Sequence, residues 1–191
     1  MVSLRIFLAA GLLAALTPIV AEEPTQGGGT PVTVPWLETG RFAWTASTPL
    51  VRPEDRGGDQ YYSVKDPSIV RFGNRWHLFV SVRGKVRTHQ IEYLSFDRWE
   101  NAGRARRQML RCREGYYCAP QVFYFRPQGT WYLVYQVGER DRTPGLQPAY
   151  STTEDISDPD SWSQARLFFK EGPAGVGKWI DFWVICDGER A

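Results

Sequence analysis

Short runs of apolar and β-branched residues alternate with turn residues from about residue 36 onward, and this pattern predicts an all-β protein. The first clear unit is DPSIVRF, then the dipeptide Gly73-Asn74, then RWHLFVSV. Two such runs around a two-residue turn of this type predict a β-hairpin. HQIEYLSF at 89–96 supplies a third strand, and no stretch has the periodicity of a long amphipathic helix.

A second unit of the same kind follows downstream. It consists of QVFYF, the loop RPQGT and WYLVYQV, with PAYSTT at 148–153 as its third strand. WIDFWVIC at 179–186 and the turn Asp187-Gly188 predict the start of a third hairpin.

The units recur at a nearly constant spacing. Pro67 and Pro120 are 53 residues apart, and Trp76 and Trp131 are 55 residues apart. A period of about 50 to 60 residues with several short strands in each period indicates the blades of a β-propeller. A β-sandwich, which also has short and evenly spaced strands, is the alternative. On the propeller interpretation, residues 36–191 supply about the first two to three blades.

The N-terminal segment differs from the rest of the chain. Arg5 precedes an unbroken apolar run at 6–16, and Ala21 closes the segment before two glutamates. This pattern predicts a secretory signal peptide over 1–21, cleaved after Ala21. The alternative, a membrane anchor, needs about 20 apolar residues and is disfavoured. Residues 22–35, rich in Gly, Pro and Thr, predict a flexible linker, and 36–191 the folded domain.

Composition narrows the class further. Hydrophobic residues make up 42% of the chain and charged residues 23%, which is typical of a globular protein. The net charge of +2 gives no global electrostatic case for nucleic acid binding. A pairing of Cys112 with Cys118 would leave Cys186 alone, and the absence of a CxxC spacing gives zinc no support.

Two aspartates occupy equivalent places in the repeat. Asp66 lies seven residues before Gly73, and Asp181 lies seven residues before Gly188. If their strands line the propeller axis, both carboxylates point into one central pocket, with Gln121 near the same place in the second blade. Two carboxylates around a pocket can perform acid/base chemistry at a glycosidic bond, and the adjacent lysine favours an ionised base. The alternative is structural, because Lys-Asp-Pro is common turn chemistry.

The segments SVKDPSIV, YCAPQVFYFRPQGTWYLVYQ and KWIDFWVICD resemble glycoside hydrolase family 62. FAWTASTPL and PAYSTTEDISDPDSW are similar to that family's pattern as well, so the resemblance runs from about Phe42 to Asp187. It implies a five-bladed β-propeller and a secreted α-L-arabinofuranosidase. Such enzymes remove arabinofuranosyl side groups from arabinoxylan, and often from arabinan, with inversion.

The resemblance also implies roles for individual residues. Asp66 would be the general base, and Asp181 would orient substrate and tune the pKa of the general acid. Lys65, Gln121 and Trp131 would contact the sugar or line its pocket. The family's general acid is a Glu downstream of WIDFWVICD, so we expect this chain to lack it and to be inactive or nearly so. No cofactor is expected for the chemistry. A structural Ca²⁺ is expected at the propeller centre of the full-length fold. A monomeric state and no membrane or nucleic acid partner are also expected.

Two other functions remain open at this stage. One is a family 43 type arabinanase or xylosidase, and the other is a non-catalytic, carbohydrate-binding propeller remnant. The densest basic cluster is interpreted as a solvated loop rather than a site for acidic xylan; it comprises Arg104, Arg106, Arg107, Arg111 and Arg113.

Overall fold

The computed structural model describes residues 39–41, 46–141, 145–172, 175–176, 179–187 and 189–190. The chain divides into two units, Met1–Thr45 and Ala46–Ala191, and the strands all lie in the second. The predicted signal peptide and linker lie outside the described residues. Within the described ranges, no helix has the length and apolar character needed to cross a membrane.

The first sheet is an antiparallel meander of four strands. It contains β1 (Tyr61–Phe72), β2 (Arg75–Gly84), β3 (His89–Phe96) and β4 (Arg107–Met109), in that spatial order. The predicted two-residue turn joins β1 to β2, and Gly73 has a φ of 56° there. That left-handed conformation carries little cost for glycine, which explains why the chain reverses at this point.

The second sheet repeats this arrangement. Its strands are β5 (Tyr117–Phe125), β6 (Thr130–Gly138), β7 (Leu146–Thr153) and β8 (Arg166–Leu167), again in chain order. The predicted strands of both units are confirmed. β3 has the predicted bounds, and the other predicted strands are longer by two to five residues. The fourth strands, β4 and β8, were not predicted, because two or three residues carry no readable alternation.

The repeat inferred from sequence is confirmed by the strand register. Trp76 is the second residue of β2 and pairs with Phe96, while Trp131 is the second residue of β6 and pairs with Thr153. The fold is therefore all-β, with two four-stranded antiparallel sheets built to one plan.

Side chains from both sheets form the main core. Alternation along β2 turns Phe79 toward this core and Leu78 and Val80 toward a second, smaller cluster on the other face of the first sheet. The main cluster contains Phe79, Ile91, Tyr93, Leu110, Cys112, Tyr117, Val122, Trp131, Leu133, Tyr135, Val137, Ala149, Ile156 and Trp162. Because both sheets contribute to one core, their relative position is held by packing.

An ion cluster is buried in the first sheet. Glu92 of β3 is fully buried and forms ion pairs with Arg56 and Arg107. Arg107 also lies 3.4 Å from Glu54 and donates a 2.7 Å hydrogen bond to the Arg52 carbonyl. Burial lowers the pKa of both arginines. This cluster ties the segment before β1 to the outer part of the sheet.

The prediction of a strand over WIDFWVIC is wrong for the described residues, which have no strand at 179–187. No neighbouring strand is described beside this segment, so its backbone has no ladder to join. Asp187 does begin a turn, since its Oδ1 accepts hydrogen bonds from the Glu189 and Arg190 amides. Gly188 lies outside the described residues.

The cysteine pairing weighed from sequence is not present either. Cys112 and Cys118 are buried free thiols, and Cys186 is an exposed free thiol. The Cys118 Sγ instead lies 3.2 Å from the Tyr116 hydroxyl.

Candidate active site

A backbone irregularity recurs at the same place in both sheets. In the pairing of β1 with β2, the register shifts between Lys65 and Ser68. In the pairing of β5 with β6, it shifts between Cys118 and Gln121. Each shift is a β-bulge, which redirects side chains and is common beside functional sites.

Each bulge contains a residue in the left-handed conformation. Asp66 has a φ of 50° and Ala119 a φ of 57°. Asp181 has a φ of 51°, and these three are the non-glycine residues at positive φ in the described part of the chain. A left-handed conformation costs roughly 1–2 kcal/mol for a non-glycine residue. A left-handed residue thus recurs at three positions, two of them in bulges and the third, Asp181, outside any described strand.

The three left-handed residues meet around one cavity of about 340 Å³. Its lining consists of Asp66, Pro67, Ala119, Pro120, Gln121, Asp181, Phe182 and Trp183. The structure thus brings together both aspartates and the glutamine singled out from sequence. A cavity of this size with a few convergent polar groups is typical of a small-ligand site.

Lys65 lies at the edge of this group. Its Nζ is 3.6 Å from Oδ2 of Asp66, and both side chains are partly exposed. A pair exposed in this way contributes little to stability. Lys65 places a positive charge beside the carboxylate without covering it.

Gln121 lies in the cavity lining, but its amide is engaged by the backbone. Nε2 donates a 2.7 Å hydrogen bond to the Val184 carbonyl, and Oε1 accepts a 2.7 Å hydrogen bond from the Val184 amide. The sugar contact expected of Gln121 therefore competes with two existing hydrogen bonds.

Trp131 lies in the core rather than in the cavity. It is 6% exposed and packs edge-on against Phe72 with ring centroids 5.3 Å apart. Tyr124 covers it at 5.1 Å. These rings surround Trp131, which does not line the cavity of Asp66 and Asp181, and its sugar contact stays a prediction.

Trp183 was not singled out from sequence, yet it lines the cavity and is 69% exposed. An exposed indole beside two carboxylates offers an apolar face to a sugar ring. Its position in the repeat could have indicated this, because Trp183 follows Asp181 by two residues just as Gln121 follows Ala119 by two.

Tyr116, Cys118 and Gln136 form a polar cluster next to the second bulge. Burial raises the pKa of the Cys118 thiol and of the Tyr116 hydroxyl. Gln136 Nε2 donates a 2.9 Å hydrogen bond to that hydroxyl. The thiol is therefore held protonated, and thiolate chemistry is not expected here.

The arginine cluster lines a different and larger cavity of about 1140 Å³. Arg106, Arg107, Arg111 and Arg113 contribute to it, whereas Arg104 does not. Arg113 Nη1 is paired with Glu139 at 2.7 Å, and Arg107 is paired as described above. Part of the positive charge is thus neutralised within the fold.

The ligand set for the Ca²⁺ implied by the resemblance is not assembled by the residues described. No group of three or more His, Cys, Asp or Glu side chains in those ranges is arranged to hold a metal ion. We therefore derive no chemical step through a metal, and the central Ca²⁺ stays a prediction.

Comparison with known proteins places the chain in a family. Residues 43–190 match the model described as Glycosyl hydrolase family 62. Alpha-L-arabinofuranosidase C of Cellvibrio japonicus (strain Ueda107) is 37% identical over 145 residues, which cover 75% of this chain and 20% of the relative. The chain thus spans about a fifth of this curated relative.

Solved structures agree with this result. The catalytic domain of the Coprinopsis cinerea GH62 alpha-L-arabinofuranosidase matches with a TM-score of 0.65 and 40% identity, over 76% of this chain and 46% of that one. A GH62 hydrolase in complex with xylotriose matches with a TM-score of 0.56 and 34% identity, over 64% of this chain and 35% of that one. The chain therefore belongs to glycosyl hydrolase family 62.

Proposed function

We propose that this chain carries the base side of a secreted α-L-arabinofuranosidase that removes terminal α-L-arabinofuranosyl groups from arabinoxylan, and from arabinan, with inversion. The observation that carries the proposal is the meeting of Asp66 and Asp181 in one cavity, each in the same strained backbone conformation. Strained positions of this kind persist where the surrounding structure holds them in place, and they cluster at active sites.

In this mechanism, Asp66 removes a proton from a water molecule beside the anomeric carbon. The water attacks as the bond to the leaving oxygen breaks, and inversion follows from attack on the opposite face. Inverting enzymes separate base and acid by about 6.5–9.5 Å to leave room for this water. Asp181 binds the sugar and acts on the pKa of the acid through its negative charge.

The general acid is the incomplete part of this scheme. The lining of the described cavity contains two aspartates and no glutamate. We therefore expect cleavage to depend strongly on the leaving group, because general acid catalysis matters most for a poor one. A nitrophenolate leaves without protonation, whereas the hydroxyl of a xylose residue does not.

The substrate class rests on the relatives. One is an arabinofuranosidase by name, and another was crystallised with xylotriose, a fragment of the xylan backbone. We propose that the indole of Trp183, which is exposed at the cavity, packs against a sugar ring of the bound substrate. The proposal includes export and action as a monomer, without a nucleic acid or membrane partner.

The test compares two substrates on the purified chain. We expect the chain to be inactive or nearly so on wheat arabinoxylan, which needs the general acid. On 4-nitrophenyl α-L-arabinofuranoside, whose leaving group needs no proton, we expect measurable release of arabinose. Asp66→Asn should lower the aryl rate by about 10²–10⁴-fold, the usual contribution of a positioned acid or base. NMR of the first product should show the anomer of inverted configuration.

Three outcomes would contradict the proposal. Aryl activity unaffected by Asp66→Asn would remove Asp66 from the base role, and retained configuration would remove the inverting mechanism. Arabinoxylan binding that survives Asp66→Asn, with no turnover of either substrate, would favour a carbohydrate-binding module instead.

A further inference from the structure

We propose that Gln121 is a positioning residue that docks the segment carrying Asp181 onto the second sheet. Its effect on catalysis rests on the function proposed above, whereas the docking itself does not. Gln121 reaches the site through the backbone of Val184, and the Val184 peptide lies three residues after Asp181.

Both ends of the Gln121 amide bind one residue. Nε2 and Oε1 each lie 2.7 Å from their Val184 partners, the carbonyl oxygen and the amide nitrogen. A side-chain amide used in this way reproduces the donor and acceptor pair that a neighbouring strand would offer. Gln121 therefore replaces, at one residue, the ladder that the 179–187 segment lacks among the described residues.

The first sheet contains an equivalent contact in a simpler form. Ser68 lies two residues after Asp66, and its Oγ accepts a 2.9 Å hydrogen bond from the Val122 amide. Val122 in turn lies three residues after the left-handed Ala119. The side chain two residues after the left-handed Asp66 thus binds the backbone three residues after the left-handed Ala119.

Gln121 and Val184 occupy the same two positions one repeat later. Gln121 follows Ala119 by two residues, and Val184 follows Asp181 by three. Because the same pair of positions is joined twice, the Gln121 contact belongs to the plan of the repeat. The glutamine differs from serine in engaging the carbonyl as well as the amide, so it fixes the orientation of the whole peptide.

Asp66 and Asp181 differ in how the described residues hold their backbones. Asp66 lies within β1, whose flanking residues pair with β2 on both sides of the bulge. Within the described ranges, 179–187 is joined to the sheets by two hydrogen bonds, one that Gln121 Nε2 donates and one that its Oε1 accepts. Ring stacking of Trp179 on Phe169, with centroids 5.1 Å apart, adds a contact at the other end of the segment. Among the described residues, Gln121 therefore makes the hydrogen bonds that hold the segment of Asp181 against the second sheet.

The test is site-resolved amide hydrogen exchange of the full chain by NMR, with three variants. Gln121→Met keeps the length of the side chain and removes both hydrogen bonds. Gln121→Glu keeps an acceptor for the Val184 amide but no donor for its carbonyl. Ser68→Ala is the matched control, because it weakens the equivalent joint between the two sheets and does not touch Val184.

We expect protection of the Val184 amide to fall about tenfold or more in Gln121→Met, consistent with the loss of one net hydrogen bond. Gln121→Glu should retain part of that protection. Ser68→Ala should reduce protection of the Val122 amide and leave Val184 unchanged. Unchanged Val184 protection in Gln121→Met would overturn the proposal, as would an equal loss in Ser68→Ala.

Amides of the central strands show whether each variant is folded. If Leu133 and Val134 also lose protection in Gln121→Met, the sheet has been disturbed, and Gln121→Glu alone decides the question. Retained Leu133 protection with partly lowered Val184 protection in Gln121→Glu supports docking. Any other pattern in that variant contradicts it.

The catalytic arm uses the aryl arabinofuranoside. We expect Gln121→Met to lower kcat more than it raises KM, because a displaced Asp181 weakens the transition state more than initial binding. Wild-type protein without aryl activity would contradict the proposed function and leave the docking result standing. Activity in the wild type with no change of kcat in Gln121→Met would restrict Gln121 to a structural role and overturn its positioning role.

Discussion

The two sheets have the same backbone arrangement but carry different side chains at equivalent positions. Lys65 pairs with Ser81 and Cys118 with Gln136, five residues after Trp76 and Trp131 respectively, so the left-handed positions that follow are equivalent. The first sheet has an aspartate there and the second an alanine. Since Ala119 keeps the strained conformation without any polar side chain to place, the bend belongs to the architecture. The carboxylate of Asp66 is an addition to it.

The sheets also differ in what they bury. Glu92 lies opposite Val80 and Met109, and the equivalent position in the second sheet, opposite Tyr135 and Leu167, is Ala149. The first sheet therefore holds a charge cluster where the second holds a small apolar residue. Similar backbones can thus be maintained by ionic or by apolar packing at one site.

The largest expected effect comes from moving the carboxylate between the sheets. The double variant Asp66→Ala/Ala119→Asp keeps one aspartate at a left-handed bulge and moves it to the neighbouring repeat. We expect its aryl activity to be as low as that of Asp66→Ala alone, about 10²–10⁴-fold below wild type. The reason is that a base displaced by a full repeat no longer reaches the attacking water. Steady-state kinetics with circular dichroism as a folding control checks this, and recovered activity in the double variant would contradict it.

Removing the buried charge should have the next largest effect. Glu92→Ala should lower the free energy of unfolding by about 3–5 kcal/mol, because it leaves two arginines without their shared partner. Urea denaturation measures the change, with the exposed Glu100→Ala as a control expected to stay within about 0.5 kcal/mol. Equal losses in the two variants would show that the cluster contributes nothing specific. If Glu92→Ala does not fold, Glu92→Gln should show a smaller loss in the same direction.

A smaller effect of opposite sign is expected at the second bulge. Ala119→Gly should raise the free energy of unfolding by about 0.5–1 kcal/mol, because glycine adopts a φ of 57° without the steric cost. Ala149→Gly, inside β7, should instead lower it by about the same amount. Thermal or urea unfolding distinguishes the two, and a loss of stability in Ala119→Gly would show that the bend is not strained.

The smallest expected effect is a difference in pH response. Burial lowers the pKa of His77, which lies 2.8 Å from the Tyr93 hydroxyl through Nδ1. The equivalent position of the second sheet holds Tyr132 in place of a histidine. The unfolded chain takes up a proton near pH 6.5, before the folded chain does. Stability should therefore fall as the pH drops below about 6.5 and level off below the lowered pKa.

Urea unfolding at about pH 5 and about pH 7.5 measures this slope. His77→Gln should flatten it without removing it, because burial also lowers the pKa of His89. A slope that His77→Gln leaves unchanged would show that His77 is not its source.

Much of the fold was predictable because its signals are local. The Gly73-Asn74 turn and the alternating runs around it predicted β2 and β3 to within two residues, and the Trp and Pro spacings predicted the repeat. The equal distances from Asp66 to Gly73 and from Asp181 to Gly188 predicted that the two aspartates occupy equivalent positions. What the sequence did not indicate was the left-handed bulge, because an alanine such as Ala119 gives no sign of positive φ.

The contacts of Gln121 and Trp131 could not be inferred from a local pattern, because their partners lie far away in the sequence. Trp131 is covered by Phe72, which belongs to the other sheet, and Gln121 binds Val184, 63 residues away. The strand expected over 179–186 failed for a related reason. A β-rich run becomes a strand only beside a partner, and none is described there.

The joints between repeats bear on how the protein is synthesised. Every strand pairing described within a sheet connects strands that are adjacent in the chain. By contrast, the amide bound by Ser68 lies 54 residues later in the chain, and the amide bound by Gln121 lies 63 residues later. Local pairings close quickly and distant ones slowly. Each sheet can therefore form as it leaves the ribosome. Ser68 or Gln121 is then in place to bind the backbone of the repeat that follows. Assembly would then proceed in one direction, and the pocket that contains Asp66 and Asp181 would be completed after the sheets around it.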